Sequence, residues 1–380
     1  MHKLIIIILF LTSLTVKSQN PITVPEADSM TYQYYLSGDW DKLIETGRQL
    51  IAQHVDFKRL YQRMGYAYFN KADYFAAQKQ YEKALSFDKY DEGTREYLYY
   101  CGINTGNEGT SRYRAKKLPA ELKNSLGIKA IKPFAAVDME YNYKLSSDNT
   151  RSDPAYFRAG LYSQLGYRLS VYQSVSDYKQ TVNSIRIKQP DYFALLKYSI
   201  TAHTSVSLAY HYLNTSLDGN KYPGTLLFAA VSTTLSRYTL GLNGSKFAYD
   251  LGRFKQFGLH AGVILPGKSN FYFNTYLSEL FETNNNRMIF SQNAGARVYK
   301  TIWAEGLVTL GNIQNYNDHN ALYLYNSIDP TVFRTGFSLF WHLTGNITFY
   351  GNYLYDRKQV EQTTDHYLQQ SFLGGIIWKH

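Results

Sequence analysis

Residues 331–355 read TVFRTGFSLFWHLTGNITFYGNYLY, and this stretch decides the fold. Apolar side chains occupy alternate positions on both sides of a short connection at 343–345. Phe337, Leu339 and Trp341, for example, share one face of the first half. A period of two is the pattern of a β-strand with one apolar face. The stretch therefore predicts two antiparallel strands joined by a tight turn.

The same alternation recurs from Ala130 to the C-terminus. Short connections are predicted at 165–167, 202–204, 236–237, 265–268, 300–301 and 343–345. Longer, more polar connections are predicted at 146–154, 180–190, 216–222, 316–330 and 358–364. Alternating short and long connections are typical of a transmembrane antiparallel β-barrel. We count 14 strands, with 12 as the alternative because the segments 251–253 and 321–325 are ambiguous. A secreted β-sandwich is the competing fold, which strands of ten or more residues disfavour.

Strand parity places both signs of charge on the inner face of this barrel. The inward-facing candidates are Asp138, Glu140, Lys144, Arg158, Lys197, His211, His260, Arg297, Glu305 and Arg334. One interpretation is a hydrated path for a polar solute, with charged rings that tune its selectivity. The other is a salt-bridge network that fills a closed barrel. Inward-facing tyrosines suit sugar rings, which makes polysaccharide a candidate solute.

The outer face is expected to be apolar, with aromatic residues where it meets the two membrane surfaces. Trp341 stands just before a short connection and Trp378 just before the C-terminus, so both are predicted in the aromatic girdle. The last strand, at 367–378, resembles the signal recognised by the outer-membrane barrel assembly machinery. Outer-membrane lipids and that machinery are therefore expected partners.

A helical region precedes the barrel. Its clearest part matches the 34-residue tetratricopeptide pattern. The residues that match and that are expected to pack the helix pair are Tyr61, Gly65, Tyr68, Ala77, Tyr81 and Ala84. Weaker repeats are predicted at 31–53 and 90–106. A stack of such repeats commonly offers a concave surface for a protein partner. The alternative is that the helices brace the barrel.

The chain begins with a basic residue, an eight-residue apolar run and small residues at Val16-Lys17-Ser18. This pattern predicts a signal peptide over residues 1–18. The expected organisation is a helical domain at 19–118, a linker at 119–129 and the barrel at 130–380. An even strand number places both barrel ends on the periplasmic side, so the helical domain is expected there.

Composition excludes several classes of protein. Aromatic residues make up 16% of the chain, which rules out bulk disorder. The net charge of +10 is spread along the chain, so no nucleic-acid partner is expected. The short basic run 112–117 is predicted to be a solvated helix face. Cys101 is the single cysteine, which excludes an intrachain disulfide and a cysteine-based zinc site.

No cofactor, metal site or catalytic residue is predicted, and the chain is not expected to be an enzyme. His203, Ser205, Ser207 and His211 lie close together in sequence. A hydrolase would also need an acid to orient the histidine and an oxyanion site. Neither can be placed from the sequence, so a barrel-embedded hydrolase is the weakest of the functional alternatives.

The order of signal peptide, tetratricopeptide segment at 61–84 and Tyr-rich strands at 130–378 resembles the YaiO-like outer-membrane proteins, especially those of Bacteroidota. That family has no firmly assigned activity. The same order is similar, more loosely, to larger exopolysaccharide-export porins. In those proteins the repeats contact synthesis or modification machinery and the barrel conducts the polymer, which the likeness would imply here.

These observations predict an outer-membrane barrel with a periplasmic docking domain that passes or handles a polar solute such as polysaccharide. The alternative is a non-conducting anchor that holds a periplasmic or surface complex to the outer membrane. Ion conductance distinguishes the two, because only an open barrel conducts.

Overall fold

A computed structural model of the protein describes residues 22–249, 252–267, 269–282 and 286–380. Helices occupy the N-terminal third and strands occupy the remainder, as the alternation from Ala130 onward predicts. The predicted signal peptide lies outside the described residues. None of the helices in these ranges is long and apolar enough to cross a membrane.

Seven helices are found in the described residues. They are α1 (Val24–Ser37), α2 (Trp40–Ala52), α3 (Lys58–Asn70), α4 (Tyr74–Phe87), α5 (Glu92–Asn104), α6 (Glu108–Ala115) and α7 (Ala120–Ser125). Four of them begin at an Asp or Asn whose side chain accepts a hydrogen bond from a backbone N–H of the first turn. Such caps satisfy donors that the helix itself leaves free. Helix α7 falls within the predicted linker 119–129.

Consecutive helices from α1 to α6 pack on one another, and α1 to α5 share one apolar core. All six residues that match the tetratricopeptide pattern are buried. At Gly65 an added Cβ would lie 2.8 Å from the ring of Tyr81, so only glycine allows α3 and α4 to approach this closely. Ala77 is fully buried at the same contact, where a larger side chain would separate the helices.

Sixteen strands follow. They are β1 (Lys132–Ser146), β2 (Ala155–Gln164), β3 (Leu169–Val182), β4 (Ile185–Ser199), β5 (Thr204–Leu217), β6 (Asn220–Leu235), β7 (Tyr238–Tyr249), β8 (Gly252–Ile264), β9 (Tyr272–Phe281), β10 (Asn286–Tyr299), β11 (Ile302–Leu310), β12 (Tyr316–Asp318), β13 (Tyr323–Tyr325), β14 (Thr331–His342), β15 (Ile347–Gln359) and β16 (His366–Lys379). Fourteen form a closed antiparallel barrel, in which β1 pairs with both β2 and β16. The predicted fold class and the count of 14 are confirmed.

The remaining two strands, β12 and β13, form a separate hairpin inside the connection between β11 and β14. We call this connection, residues 311–330, the inner segment. The ambiguous stretch 321–325 belongs to it and not to the barrel wall. The inner segment enters the barrel, because its side chains and carbonyls contact the inner faces of β1, β5 and β8.

Two of the predicted long connections are wrong. Segments 180–190 and 216–222 are mostly strand, and each contains only a two-residue turn. The turns are Asn183-Ser184 and Asp218-Gly219, and all four residues have positive φ. These residue types tolerate the left-handed conformation that tight hairpins require. Pro190, the last residue of the predicted connection 180–190, lies in β4 where the pairing with β5 is interrupted.

The barrel has two distinct ends. One end faces the helices, and we call it the helical end. It carries the turns at 200–203 and 236–237 and the last residues of β16. We call the opposite end the far end. The outer face between them is rich in exposed apolar residues such as Leu240, Leu259 and Leu339. Trp341 and Trp378, each 47% exposed, lie on this face near the helical end.

Polar contacts join the helices to the helical end. Asp73 binds Arg237 at 2.6 Å, and Glu108 binds Lys379 at 3.0 Å. The Thr110 hydroxyl donates to the Ala202 carbonyl at 2.6 Å. The barrel end is thus covered by the helical domain, which is positioned by ion pairs and hydrogen bonds.

The basic run at 112–117 is only in part a solvated face. Arg112 reaches the Tyr162 hydroxyl inside the barrel end, and Arg114 pairs with Glu82. Their side chains are only 16% and 12% exposed, so the prediction is wrong for these two residues. Lys116 is exposed, as expected. These two arginines are shielded because the barrel end lies against α6. The prediction failed because the sequence gives no sign of that contact.

Candidate functional site

The barrel interior holds a cavity of about 950 Å³. Its walls are the inward-facing side chains of the strands and one face of the inner segment. Residues from both halves of the barrel line it, from Lys197 near the helical end to Lys358 near the far end. A polar enclosed space of this size is the natural candidate for a functional site.

One wall of the interior is apolar. Ala321, at the tip of the inner segment, is fully buried against Phe193, Leu213, Leu226 and Phe247 of β4 to β7. Burial of this tip removes apolar surface from water and holds the segment against that wall. The inner segment is thereby packed as part of the core and does not hang loosely in the lumen.

Hydrogen bonds add to this apolar contact. The Gln256 amide and the Asn317 backbone bond reciprocally, with N···O distances of 3.0 Å in each direction. His211 contributes a third contact, since its Nδ1 lies 2.9 Å from the Ala321 carbonyl. The imidazole is fixed in place by the backbone of the segment, so His211 acts here as a contact residue.

The neighbouring wall, formed by β1 and β2, is charged. Arg158 on β2 binds Asp138 at 2.7 Å, and it binds both carboxylate oxygens of Glu140 at 2.8 and 3.0 Å. Glu140 also accepts hydrogen bonds from the hydroxyls of Tyr323, at 2.9 Å, and Tyr350, at 2.8 Å. Buried charges are tolerated when they are paired and hydrogen-bonded in this way. Since Tyr323 belongs to β13, the network also ties the inner segment to β1.

A second group of charges lies nearer the far end. Arg334 on β14 forms a bidentate pair with Asp356 on β15, at 2.7 and 2.9 Å. Its guanidinium also lies over the ring of Tyr325 in the inner segment, 4.4 Å from the centroid. Lys144 and Lys358 line the cavity beside this pair.

The end of the inner segment is fastened at the far end. Asp329 accepts two hydrogen bonds from Arg151, at 2.8 and 3.2 Å, and one from the Tyr367 hydroxyl at 2.9 Å. Arg151 also binds Asp148, at 3.1 Å. The connection between β1 and β2, the inner segment and β16 therefore meet at one buried ion cluster.

Toward the helical end the interior is polar and more open. Glu305 accepts a hydrogen bond from Tyr272 at 2.7 Å, and the ring of His260 stacks on Tyr276 with centroids 4.5 Å apart. Lys197 lines the same part of the cavity. Arg297 lies on β10, where it pairs with Trp303, and its backbone N–H donates to the Ser269 carbonyl at 2.8 Å.

The structure thus brings Asp138, Glu140 and Arg158 into one network. Lys144 and Arg334 lie in another, whereas the other predicted inward-facing residues lie apart from these two. Sequence reasoning missed Asp356, Lys358 and Tyr323. The first two could have been found, because they share strand parity with Tyr350, whose side chain lines the cavity. Tyr323 could not, since nothing in the sequence shows that 316–325 turns into the lumen.

The interface between the domains contains a third group of ionisable residues. Glu82 on α4 receives a hydrogen bond from His203 at 2.9 Å and pairs with Arg114. Burial raises the pKa of Glu82, but the His203 hydrogen bond and the charge of Arg114 outweigh burial and hold that pKa below its usual value. His203 is therefore committed to the helical domain and does not meet Ser205 or Ser207 in a catalytic arrangement.

In the part of the chain that the structure describes, no cluster of three or more His, Cys, Asp or Glu is placed to hold a metal ion. His211 lies 3.6 Å from Asp191, but no hydrogen bond joins it to a serine hydroxyl in those ranges.

No protein-family model matches the chain, and no curated protein matches it. Solved β-barrels do. The chain is similar to the CymD monoaromatic hydrocarbon channel (9% identity, TM-score 0.45), over 66% of this chain and 89% of that one. It is similar to a bacterial polysaccharide outer membrane secretin (10% identity, TM-score 0.42), over 65% of this chain and 99% of the secretin chain. It is also similar to a Pseudomonas aeruginosa FadL homologue (7% identity, TM-score 0.43), over 70% of this chain and 92% of the homologue's chain. These likenesses are too distant to say what this chain binds.

Proposed function

We propose that the chain spans a bacterial outer membrane as a β-barrel and passes or binds a polar solute in its lumen. The observation that carries this proposal is the closed barrel with an apolar outer face around a charged cavity of about 950 Å³. A closed barrel leaves no unpaired strand edge, which is the condition for strands in lipid. A soluble barrel would instead place polar residues on its outer face.

The proposed orientation puts the helical end in the periplasm. Fourteen is an even number, so both ends of the barrel sequence lie on the side that carries the helices. Trp341 and Trp378 fall on the outer face at that end, where an aromatic girdle belongs. Outer-membrane lipids and the barrel assembly machinery are the partners that follow, and the YaiO-like proteins are the proposed family.

The solute we propose is polar, with polysaccharide as the leading class. Tyr156, Tyr276 and Tyr350 line the cavity beside charged groups, and such faces suit sugar rings. The inner segment narrows the lumen, so passage of a polymer requires it to move. Such movement has to break its hydrogen bonds and ion pairs with the walls and expose the buried side chain of Ala321.

An anchor without conductance is the second candidate, and a specific observation favours it. The inner segment is bound to both walls, and the helical domain covers the other end of the barrel. A groove on that domain, of about 630 Å³, is lined by Tyr32, Tyr35, Tyr66 and Tyr97 together with Arg59 and Arg63. We propose this groove as the surface that docks a periplasmic protein.

Single-channel recording of the refolded full chain in planar bilayers tests the proposal. A heat-modifiable band on a gel first establishes that the barrel has formed. Steady conductance that falls when an oligosaccharide is added supports a solute path. A folded barrel that never conducts and never binds a solute overturns the solute path and leaves the anchor function as the explanation. That function predicts a bound partner protein that is lost when residues 27–118 are deleted.

A further inference from the structure

The far end of the lumen holds more positive than negative charge. Lys144, Arg334 and Lys358 face the single carboxylate of Asp356. Both oxygens of that carboxylate are already taken by Arg334. Of the other carboxylates nearby, Asp329 is held by Arg151 and Tyr367, and Asp318 is paired with His319. Neither lysine therefore has a carboxylate of its own.

The two lysines differ from the exposed lysines on the barrel surface. Lys358 is 93% removed from solvent, with a relative exposure of only 7%. Within the described residues its ammonium group donates hydrogen bonds only to hydroxyls, Thr331 at 3.2 Å and Ser327 at 3.3 Å. No hydrogen bond or ion pair is found for the Lys144 ammonium within the described residues, although this side chain lines the cavity. A charged group in a barrel interior that has no ion-pair partner of its own is a functional-site candidate.

Hydroxyl groups complete the surroundings. Thr331 and Ser327 line the cavity beside Lys358, and the hydroxyl of each accepts a hydrogen bond from its ammonium group. Thr331 accepts from Lys358 and so retains its own proton to donate. Ammonium groups together with hydroxyl donors are the chemistry that holds carboxylate and phosphate oxygens.

We propose that Lys144 and Lys358, with Thr331, bind an anionic group that enters the lumen from the far end. The group is a phosphate or a carboxylate, either free or carried on a sugar. This inference rests on the proposed function, because it names the class of solute that the same cavity takes. It also assigns Arg334 a supporting role: its pair with Asp356 neutralises the nearest carboxylate and leaves both lysines available.

The test is calorimetric titration of the refolded full chain at low salt with inorganic phosphate, glucuronate and glucose. The double variant K144Q/K358Q is expected to bind the two anions at least about tenfold more weakly than the wild type, since each lysine contributes a charged hydrogen bond. The control is K246Q/K255Q, which removes two exposed lysines that pair directly across β7 and β8 on the outer face. This control is expected to bind like the wild type.

The probes also distinguish the source of the anion. Binding of phosphate alone indicates a phosphoryl ligand, and binding of glucuronate alone indicates an acidic sugar. The charge-preserving variant K144R/K358R is expected to retain binding, and a heat-modifiability gel shows that each variant has folded. Equal binding of glucose and glucuronate, absence of anion binding, or unchanged binding in K144Q/K358Q overturns the proposal.

Conductance is recorded on the same preparations. A barrel that conducts but binds neither anion overturns only the anion site. A barrel that binds the anions but never conducts retains the site and overturns passage through the lumen.

Discussion

The carboxylate of Glu140 on β1 accepts a hydrogen bond from the hydroxyl of Tyr323 at 2.9 Å, and this bond ties the inner segment to the charged wall of the barrel. The same carboxylate also binds Tyr350, which belongs to the wall itself. Both tyrosines therefore donate a hydrogen bond to Glu140, Tyr323 from the inner segment and Tyr350 from the barrel wall. This difference allows the role of the segment to be tested.

We expect Y323F to open the lumen more often than the wild type. The substitution removes a hydrogen bond to a charged group, which is worth about 1.5–3 kcal/mol. The open state should gain about tenfold or more in population, measured as open probability in planar bilayers. Y350F is the matched control, because it removes a bond to Glu140 without touching the segment. Equal effects of the two substitutions would show that the segment does not control opening.

The buried pair of Arg334 and Asp356 gives a prediction about stability. D356N leaves Arg334, Lys144 and Lys358 without their shared carboxylate inside the barrel. Removal of one partner of a buried pair typically costs about 3–5 kcal/mol. We expect the free energy of unfolding in lipid vesicles, measured by tryptophan fluorescence in urea, to fall by that amount.

The double variant R334M/D356L separates loss of the pair from loss of one charge. Because it removes both partners together, it should be less destabilised than D356N. If D356N unfolds at the same urea concentration as the wild type, water or another group must already compensate Arg334.

The strand pattern predicts the barrel well, because alternation is a local property of each strand. Trp341 and Leu339 face outward for the same reason that Arg334 faces inward. The turns were harder to predict. Asn183-Ser184 and Asp218-Gly219 make two-residue turns, but the polar residues around them resemble a long loop.

The inner segment and the domain interface could not be predicted, because both depend on contacts between residues distant in sequence. Ala321 is buried by four strands that end more than 70 residues earlier. Arg112 lies in a basic run that is typical of a solvated helix face. Its side chain is shielded because it reaches the hydroxyl of Tyr162 at the barrel end. No local sequence pattern indicates the burial of Ala321 or the contact between Arg112 and Tyr162.

Glu82 should make the attachment of the helical domain depend on pH. Its pKa is lower in the folded protein than in the unfolded chain, so the stabilisation is present above the unfolded value and is lost as the pH falls through the folded value. We expect hydrogen exchange of α4 and α6 to accelerate below about pH 4. E82Q should remove this acid dependence and accelerate exchange at neutral pH as well. Acid sensitivity that persists in E82Q would assign it to another carboxylate.

Gly65 and Gly93 make a matched pair for the helical core. An added Cβ at Gly65 would lie 2.8 Å from the buried ring of Tyr81, whereas at Gly93 the nearest atom is 3.9 Å away. We expect G65A to destabilise the helical domain by about 1–2 kcal/mol, because overpacking exceeds the gain in helix propensity. G93A should be neutral or stabilising by up to about 1 kcal/mol. Ellipticity at the helix minimum during urea unfolding of the full chain measures both.

Cys101 provides a probe of the same core. It lies on α5, is fully buried, and packs in the apolar cluster that α1 to α5 share. Burial raises the pKa of the thiol to about 12, so little thiolate is present at neutral pH. Since thiolate is the reactive form, a maleimide should not label the native protein.

Labelling of Cys101 is expected only when the helical domain opens, so its rate should follow the equilibrium of local unfolding. G65A should therefore label faster than the wild type at the same pH and temperature, and G93A should not. The unfolded chain in urea, where the thiol is exposed, gives the upper limit of the rate. Rapid labelling of the native wild type at pH 7 would show that α5 detaches from the core, and the helical domain would then be too mobile to position Arg112 at the barrel end.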